Sequence, residues 1–180
     1  MTYKPFDLTG RVALVTGGNG GIGLGMADAL AQAGASVEIW GTNAEKNARA
    51  LEQLKAHGTK VNARIVDVST EENVVAGFNA TLAEFGRVDS CFANAGVSNR
   101  WKSFLDIGGE DYRRVMAINL DGMIWTMREA CRHMKARGAG RCRRLDRCGR
   151  EPRRALRRRA QSGLHGHESR HHLRHQRHRC

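Results

Sequence analysis

No stretch of the chain approaches the roughly 18–20 uninterrupted apolar residues of a membrane-spanning helix, and Met1 to Gly10 lacks the hydrophobic segment of a secretion signal. No membrane partner and a cytoplasmic location are therefore expected. Cysteine is sparse, five residues without a CxxC spacing, which gives no sign of a disulfide framework; Cys91 and Cys131 lie inside apolar patterns, where a reduced, buried thiol is expected. No internal repeat or second globular domain is visible. The last 42 residues contain no Val, Ile, Phe, Tyr, Trp, Met or Lys. Their Leu145, Leu156, Leu164 and Leu173 are too few to offset the entropy of ordering them, so this tail is expected to be disordered alone.

The charge divides in the same place. Lys and Arg number 30 against 18 Asp and Glu, a formal net charge of +12, which as an average would suggest an anionic partner such as nucleic acid. Residues 1–138 hold 16 basic and 15 acidic side chains, whereas residues 139–180 hold 14 Arg against Asp146, Glu151 and Glu168. The first 138 residues have the composition of one globular domain, and residues 139–180 form an Arg/His-rich, non-globular tail.

Within the first region short apolar runs alternate with helical periodicities. Arg11 to Thr16 reads as a buried strand, and Gly21 to Ala33 as a helix with Ile22, Met26, Ala29, Leu30 and Ala33 on one face. Val37 to Gly41 is a second strand, Ala44 to His57 a helix, and Val61 to Asp67 a third strand. Ser69 and Glu72 have capping-box spacing ahead of a helix whose buried face is Val74, Val75, Phe78, Leu82 and Phe85. Val88 to Ala93 is strand four. Asp111 to Arg137 reads as one long helix with Met116, Leu120, Met123, Met127, Cys131 and Met134 along a core or helix-partner stripe. Such alternation implies an α/β fold with a doubly wound parallel sheet, here of about four strands, with ligands at the strands' C-terminal ends. At Gly138 to Arg144, where a fifth strand would be due, the pattern breaks. Strand four would then be an open edge, with Ile118, Met123 and Ile124 facing solvent.

Directly after strand one comes Thr16-Gly17-Gly18-Asn19-Gly20-Gly21-Ile22-Gly23, followed by a helix. Glycines at this place let backbone N–H groups and the positive end of the helix approach a pyrophosphate. The turn resembles the Thr-Gly-x-x-x-Gly-x-Gly of the short-chain dehydrogenase/reductase family through Thr16, Gly17, Gly21 and Gly23. Three further matches follow in the family's order: Asp67 in Val66-Asp67-Val68, then Asn94-Ala95-Gly96, then Asn119 in Ala117-Ile118-Asn119-Leu120. The resemblance covers about residues 7–138 and implies a Rossmann-like fold. It further implies adenine contact at Asp67 and Val68, a sheet edge steadied beside the cofactor by Asn94, Ala95 and Gly96, and a proton-relay water held with the help of Asn119.

The implied activity is NAD(P)-dependent interconversion of a secondary alcohol and a ketone by hydride transfer. Phe6 to Arg11 and Asn19 resemble members acting on sugar acids or small polyols. Gly41 stands where the family's NAD-selecting aspartate falls, and Gly41-Thr42-Asn43, with Lys46 near, leaves room and donors for a phosphate, which favours NADP over NAD. Glu38 is too early for that role and reads as a solvated strand residue.

The family's chemistry also needs a serine, expected near 145, and a tyrosine and lysine, expected near 156–164. The last tyrosine is Tyr112 and the last lysine Lys135, and Ser162 or Ser169 alone does not replace the triad, so the chain is expected to be inactive. Members of the family usually associate through the long helix and its successor; this chain is expected not to.

Two accounts of the tail stay open. A genuine basic arm would bind nucleic-acid phosphates, or a metal at His167, His171 and His175, making the chain a non-catalytic nucleotide-binding fragment. Against it, the tail replaces a strand the fold needs and has no aromatic residues for base stacking. Neither nucleic acid nor metal is the expected partner. The other account is out-of-frame translation of a GC-rich gene. Read one base later, the codons around Arg141 to Arg144 can give valine or alanine, Leu145 serine, and Gln161-Ser162-Gly163 Lys-Ala-Gly. Leu156 can give tyrosine, five residues before that lysine where the family has four.

Overall fold

The computed structural model describes residues 6–98 and 103–138, and within them strands and helices alternate as expected. In chain order they are β1 (Val12–Thr16), α1 (Gly21–Gln32), β2 (Ser36–Gly41), α2 (Ala44–Lys55), β3 (Val61–Ile65), α3 (Glu71–Phe85) and β4 (Ser90–Ala93). A 3-10 turn (Phe104–Asp106) then leads to α4 (Gly109–Met116), a π-helical turn (Ala117–Asp121) and α5 (Gly122–Ala136). The sheet is parallel in the order β3-β2-β1-β4. In register, Leu14 stands between Glu38 and Cys91, and Ile39 between Val15 and Ala63. Strand order reverses between β1 and β4, so a crevice opens at their C-terminal ends. Among the described residues no helix is long and apolar enough to cross a membrane. The fifth-strand position, the catalytic-triad positions and the whole Arg/His tail lie outside the described residues.

The period-two alternation of the strands separates two cores. One face carries Val15, Val37 and Ile39 against Ala27 and Ala31 of α1 and Ala50 and Leu54 of α2. The other carries Leu14 and Trp40 against Val74 and Phe78 of α3 and Ala130 of α5. Glu38 belongs to this second face and is not solvated, as its sequence context implied, but fully buried. Its carboxylate accepts from Arg64 Nε (2.9 Å) and Asn62 Nδ2 (2.8 Å), which stand on the neighbouring strand. The Thr81 hydroxyl stands 3.4 Å away and accepts from the Trp40 indole N–H at 3.2 Å.

Several local expectations are corrected. The buried stripe of α1 is Gly23, Ala27 and Ala31, while Ile22, Met26 and Ala29 face outward. A helix lying this close to a sheet admits small side chains and turns large ones away. The Ser69 capping box does not form. Asp67 Oδ1 instead accepts from Ser69 N (2.9 Å), the local turn this residue type favours, and α3 starts after Thr70. On α3 the buried residues are Val74, Gly77, Phe78 and Thr81, with Val75, Leu82 and Phe85 partly covered.

The long helix is interrupted by the π-helical turn, which shifts the phase of its faces. Its buried stripe is Gly122, Thr126, Glu129 and Ala130, whereas Leu120, Met123 and Met127 are exposed, which leaves them the surface and not the core alternative of the expected stripe. Met123 and Ile124 face solvent as expected, but Ile118 is packed against the second core. Strand three ends at Ile65, two residues short of Asp67, and strand four begins at Ser90 rather than Val88.

Candidate nucleotide-binding cleft

The C-terminal ends of β1 and β4 are tied together by hydrogen bonds at Thr16, the last residue of β1. Its hydroxyl oxygen accepts from the backbone N–H groups of Asn94 and Ala95, each at 3.0 Å, and Asn94 Nδ2 donates to the Thr16 carbonyl at 3.2 Å. Gly18 N donates to Trp40 O (3.3 Å), fixing the turn to β2. Thr16 and Asn94 thus buckle the glycine turn to the sheet rather than line the cleft.

Two glycines of the turn are required by space. Gly17 has φ +65°, and a Cβ there would stand 2.9 Å from Ala95 Cα; at Gly23 a Cβ would fall on the Gly17 carbonyl oxygen. The turn therefore lies flush against β4, and α1 begins immediately after it with no acidic side chain in its first turn. Its positive end is thus not offset by a carboxylate of its own first turn. Gly20 caps this helix and Gly21 opens it, while Ile22 is 75% exposed on its first turn.

The cleft beside the turn has a volume of about 200 Å³. Of the residues singled out from the sequence, Gly17, Asn19, Thr42, Asp67, Val68, Ala95 and Gly96 line it. Thr16, Gly20, Gly21, Ile22, Gly23, Asn94 and Asn119 do not, and serve or flank its walls. Lys46 lines it too, close to Gly41 and Asn43 at the start of α2, and has no carboxylate partner among the described residues.

Asn119 sits in the π-helical turn and grips the chain beyond β4 with both ends of its amide. It accepts from Val97 N at 2.8 Å and donates to Val97 O at 2.9 Å. The segment Ala95 to Val97 is thereby held as one side of the cleft. Tyr112, the last tyrosine, lies on α4 and is half exposed. On β4 below the cleft, burial pushes the Cys91 thiol up to about 12, with the nearby Cys131 adding to the shift, so Cys91 is an inert core thiol.

Trp40, Val66, Val97 and Ile118 complete the lining without having been singled out. Asn47 was missed as well: it is buried on α2 and linked to Asn19 by a 2.7 Å hydrogen bond. Its signal was available, because Asn47, Ala50 and Leu54 share one helical face and an amide among apolar residues needs partners.

The family model for short chain dehydrogenase matches residues 11–142. Gluconate 5-dehydrogenase of Gluconobacter oxydans is 34% identical over 135 residues, covering 75% of this chain and 52% of that protein. Among solved structures, NAD+-bound xylitol dehydrogenase superimposes with a TM-score of 0.70 at 30% identity, over 72% of this chain and 50% of the other. The NADPH-dependent 3-quinuclidinone reductase of Rhodotorula rubra gives 0.67 at 33%, over 74% and 50%. The chain spans about half the length of the curated relatives it matches.

Proposed function

The chain belongs to the short chain dehydrogenase family, and from that premise we propose that its cleft binds the adenosine and pyrophosphate parts of a nicotinamide dinucleotide. The observation that carries this is the cradle itself: at Gly17 and Gly23 the backbone lies where a Cβ would collide, and the helix that follows has no acidic side chain in its first turn to offset its positive end. When bound, the nicotinamide would accept or deliver a hydride between a secondary alcohol and a ketone. The chain's own residues hold the adenosine end. Asp67 and Val68 stand where the adenine would lie, and the backbone N–H groups of the glycine turn would take the phosphates. Asn119 keeps Val97, and with it the Ala95–Gly96 wall, in place.

NADP is the preferred form in this reading. Thr42, Asn43 and Lys46 gather a hydroxyl, an amide and an unneutralised ammonium at the end of β2, while Gly41 offers no carboxylate to repel a 2′-phosphate. A sugar acid or small polyol is the proposed substrate class, supported by the likeness to gluconate 5-dehydrogenase and xylitol dehydrogenase. The chain as written would bind the dinucleotide without turnover, since no tyrosine follows Tyr112 and no lysine follows Lys135. A cytoplasmic location belongs to the same reading. A second reading, a nucleotide-binding fragment with a nucleic-acid-binding arm, draws on the 14 Arg of residues 139–180.

Titration of the full chain with NADPH and NADH, followed by nicotinamide fluorescence, tests the proposal. NADPH is expected to bind more tightly, and NADP+ or NAD+ mixed with gluconate or xylitol is expected to show no rise in reduced-nicotinamide absorbance. Binding of neither dinucleotide removes the cleft assignment, tighter binding of NADH removes the NADP preference, and turnover removes the claim of inactivity. Salt-dependent retention of RNA without dinucleotide binding would favour the second reading.

A further inference from the structure

At the end of β2 the cleft wall is built from two carboxamides borrowed from elsewhere in the chain. A Cβ at Gly41 would overlap the Asn19 carboxamide nitrogen and stand 2.6 Å from Asn47 Oδ1. Asn47 is 4% exposed, and its polar atoms are all committed. Its Nδ2 donates to Gly41 O at 3.0 Å and to Arg64 O at 3.2 Å, carbonyls near the ends of β2 and β3. With both amide hydrogens directed at carbonyls, Asn47 turns its oxygen toward Asn19 and accepts from Asn19 Nδ2 at 2.7 Å. The orientation of Asn19 follows in turn. Its NH₂ group faces Asn47, and among the described residues its carboxamide oxygen has no hydrogen-bond partner.

Asn19 lines the cleft between the glycine turn, which suits a pyrophosphate, and Gly41 to Asn43, which suits the adenosine ribose. An acceptor oxygen in that position matches a hydroxyl, which donates, and not a phosphate oxygen, which accepts. We propose that Asn47 is a positioning residue that, by fixing the Asn19 amide, presents the Asn19 oxygen to a ribose hydroxyl of the bound nucleotide. The inference rests on the dinucleotide reading of the cleft and adds to it a residue one step behind the wall. Without Asn47 the Asn19 amide is free to flip, and an N–H would face the hydroxyl as readily as the oxygen does.

Calorimetric titration of the full chain with adenosine 5′-diphosphate and with its 2′-deoxy and 3′-deoxy forms tests this. Loss of the recognised hydroxyl is expected to weaken binding about fivefold to tenfold in the unaltered chain, the worth of one good hydrogen bond. In Asn47→Leu that ratio should fall to about one while the diphosphate still binds. Asn19→Ala, which leaves Asn47 bonded to both backbone carbonyls, should abolish the ratio in the same way and guards against an Asn47 variant that does not fold. The ratio between ligands is the readout, because general loosening lowers all three affinities together. An unaltered chain that binds both deoxy forms as tightly as the parent overturns the proposal, as does a folded variant at either position that keeps the original ratio. Absence of any diphosphate binding instead overturns the dinucleotide reading itself.

Discussion

The two faces of the sheet are closed by different physical means. On the α1 and α2 side Val15, Val37 and Ile39 meet alanines and Leu54, an apolar contact of small against branched side chains. On the α3 and α5 side the same strands carry Glu38 among Trp40, Leu14 and Phe78, and the face closes only because Arg64, Asn62 and Thr81 supply partners for the carboxylate. The first arrangement depends on volume and the second on complete pairing. Their responses to substitution should therefore differ in kind.

The largest effect is expected on the polar side. Arg64→Met leaves the fully buried Glu38 without its cation and should cost about 3–5 kcal/mol of unfolding free energy in a denaturant titration. The double change Glu38→Leu with Arg64→Met should recover much of that loss, because an apolar pair needs no partner. If the single change costs nothing, the two faces do not differ as described. On the apolar side Ala31→Leu adds volume at a buried position packed in the core of this face, and thermal melts should show a loss of about 1–3 kcal/mol.

A smaller, pH-dependent component belongs to the α3 and α5 side. His133 accepts the Val88 N–H through Nε2 (3.2 Å) beside the Phe78 ring and must be neutral at that nitrogen to do so. Burial holds its pKa below the ordinary 6.5, Arg137 and Arg87 add to the shift, and Asp89 opposes it. Folding therefore favours the neutral form. The contribution is fully present above pH 6.5 and is lost as pH falls from there through the lowered folded value. His133→Gln keeps an acceptor without a titrating group, and this part of the pH dependence should vanish from its melting curves. The smallest effect is expected on neither face: Glu45 and Arg49 are both over four-fifths exposed, 3.7 Å apart on α2, and Glu45→Ala should change stability by about 0.5 kcal/mol or less.

The same contrast explains what was legible in the sequence. The glycine turn, the strand and helix order and the residues at the strand ends could be read because backbone approach dictates residue type there, at Gly17 and Gly23 above all. Glu38 could not, since a period-two pattern assigns a polar residue to solvent and its cation lies 26 positions away. Hydrophobicity alone places Ile22 and Met26 inward, whereas Ala27 and Ala31 hold the interface by their size. The turn at Ala117–Asp121 rephases the helix faces, so the single stripe from Met116 to Met134 divides into a packed part and, at Leu120, Met123 and Met127, an exposed part, which the stripe alone does not distinguish. Asn47 went unnoticed because its partners come from three separate segments, at Asn19, Gly41 and Arg64.

The central claim is that the glycine turn cradles the phosphates of a dinucleotide, and an NADPH titration of Gly23→Ala beside the unaltered chain tests it most directly. A Cβ at this position falls on the Gly17 carbonyl and must displace the turn, so affinity should fall by about tenfold or more while far-ultraviolet circular dichroism shows the fold retained. Equal affinity of the two proteins would contradict the account.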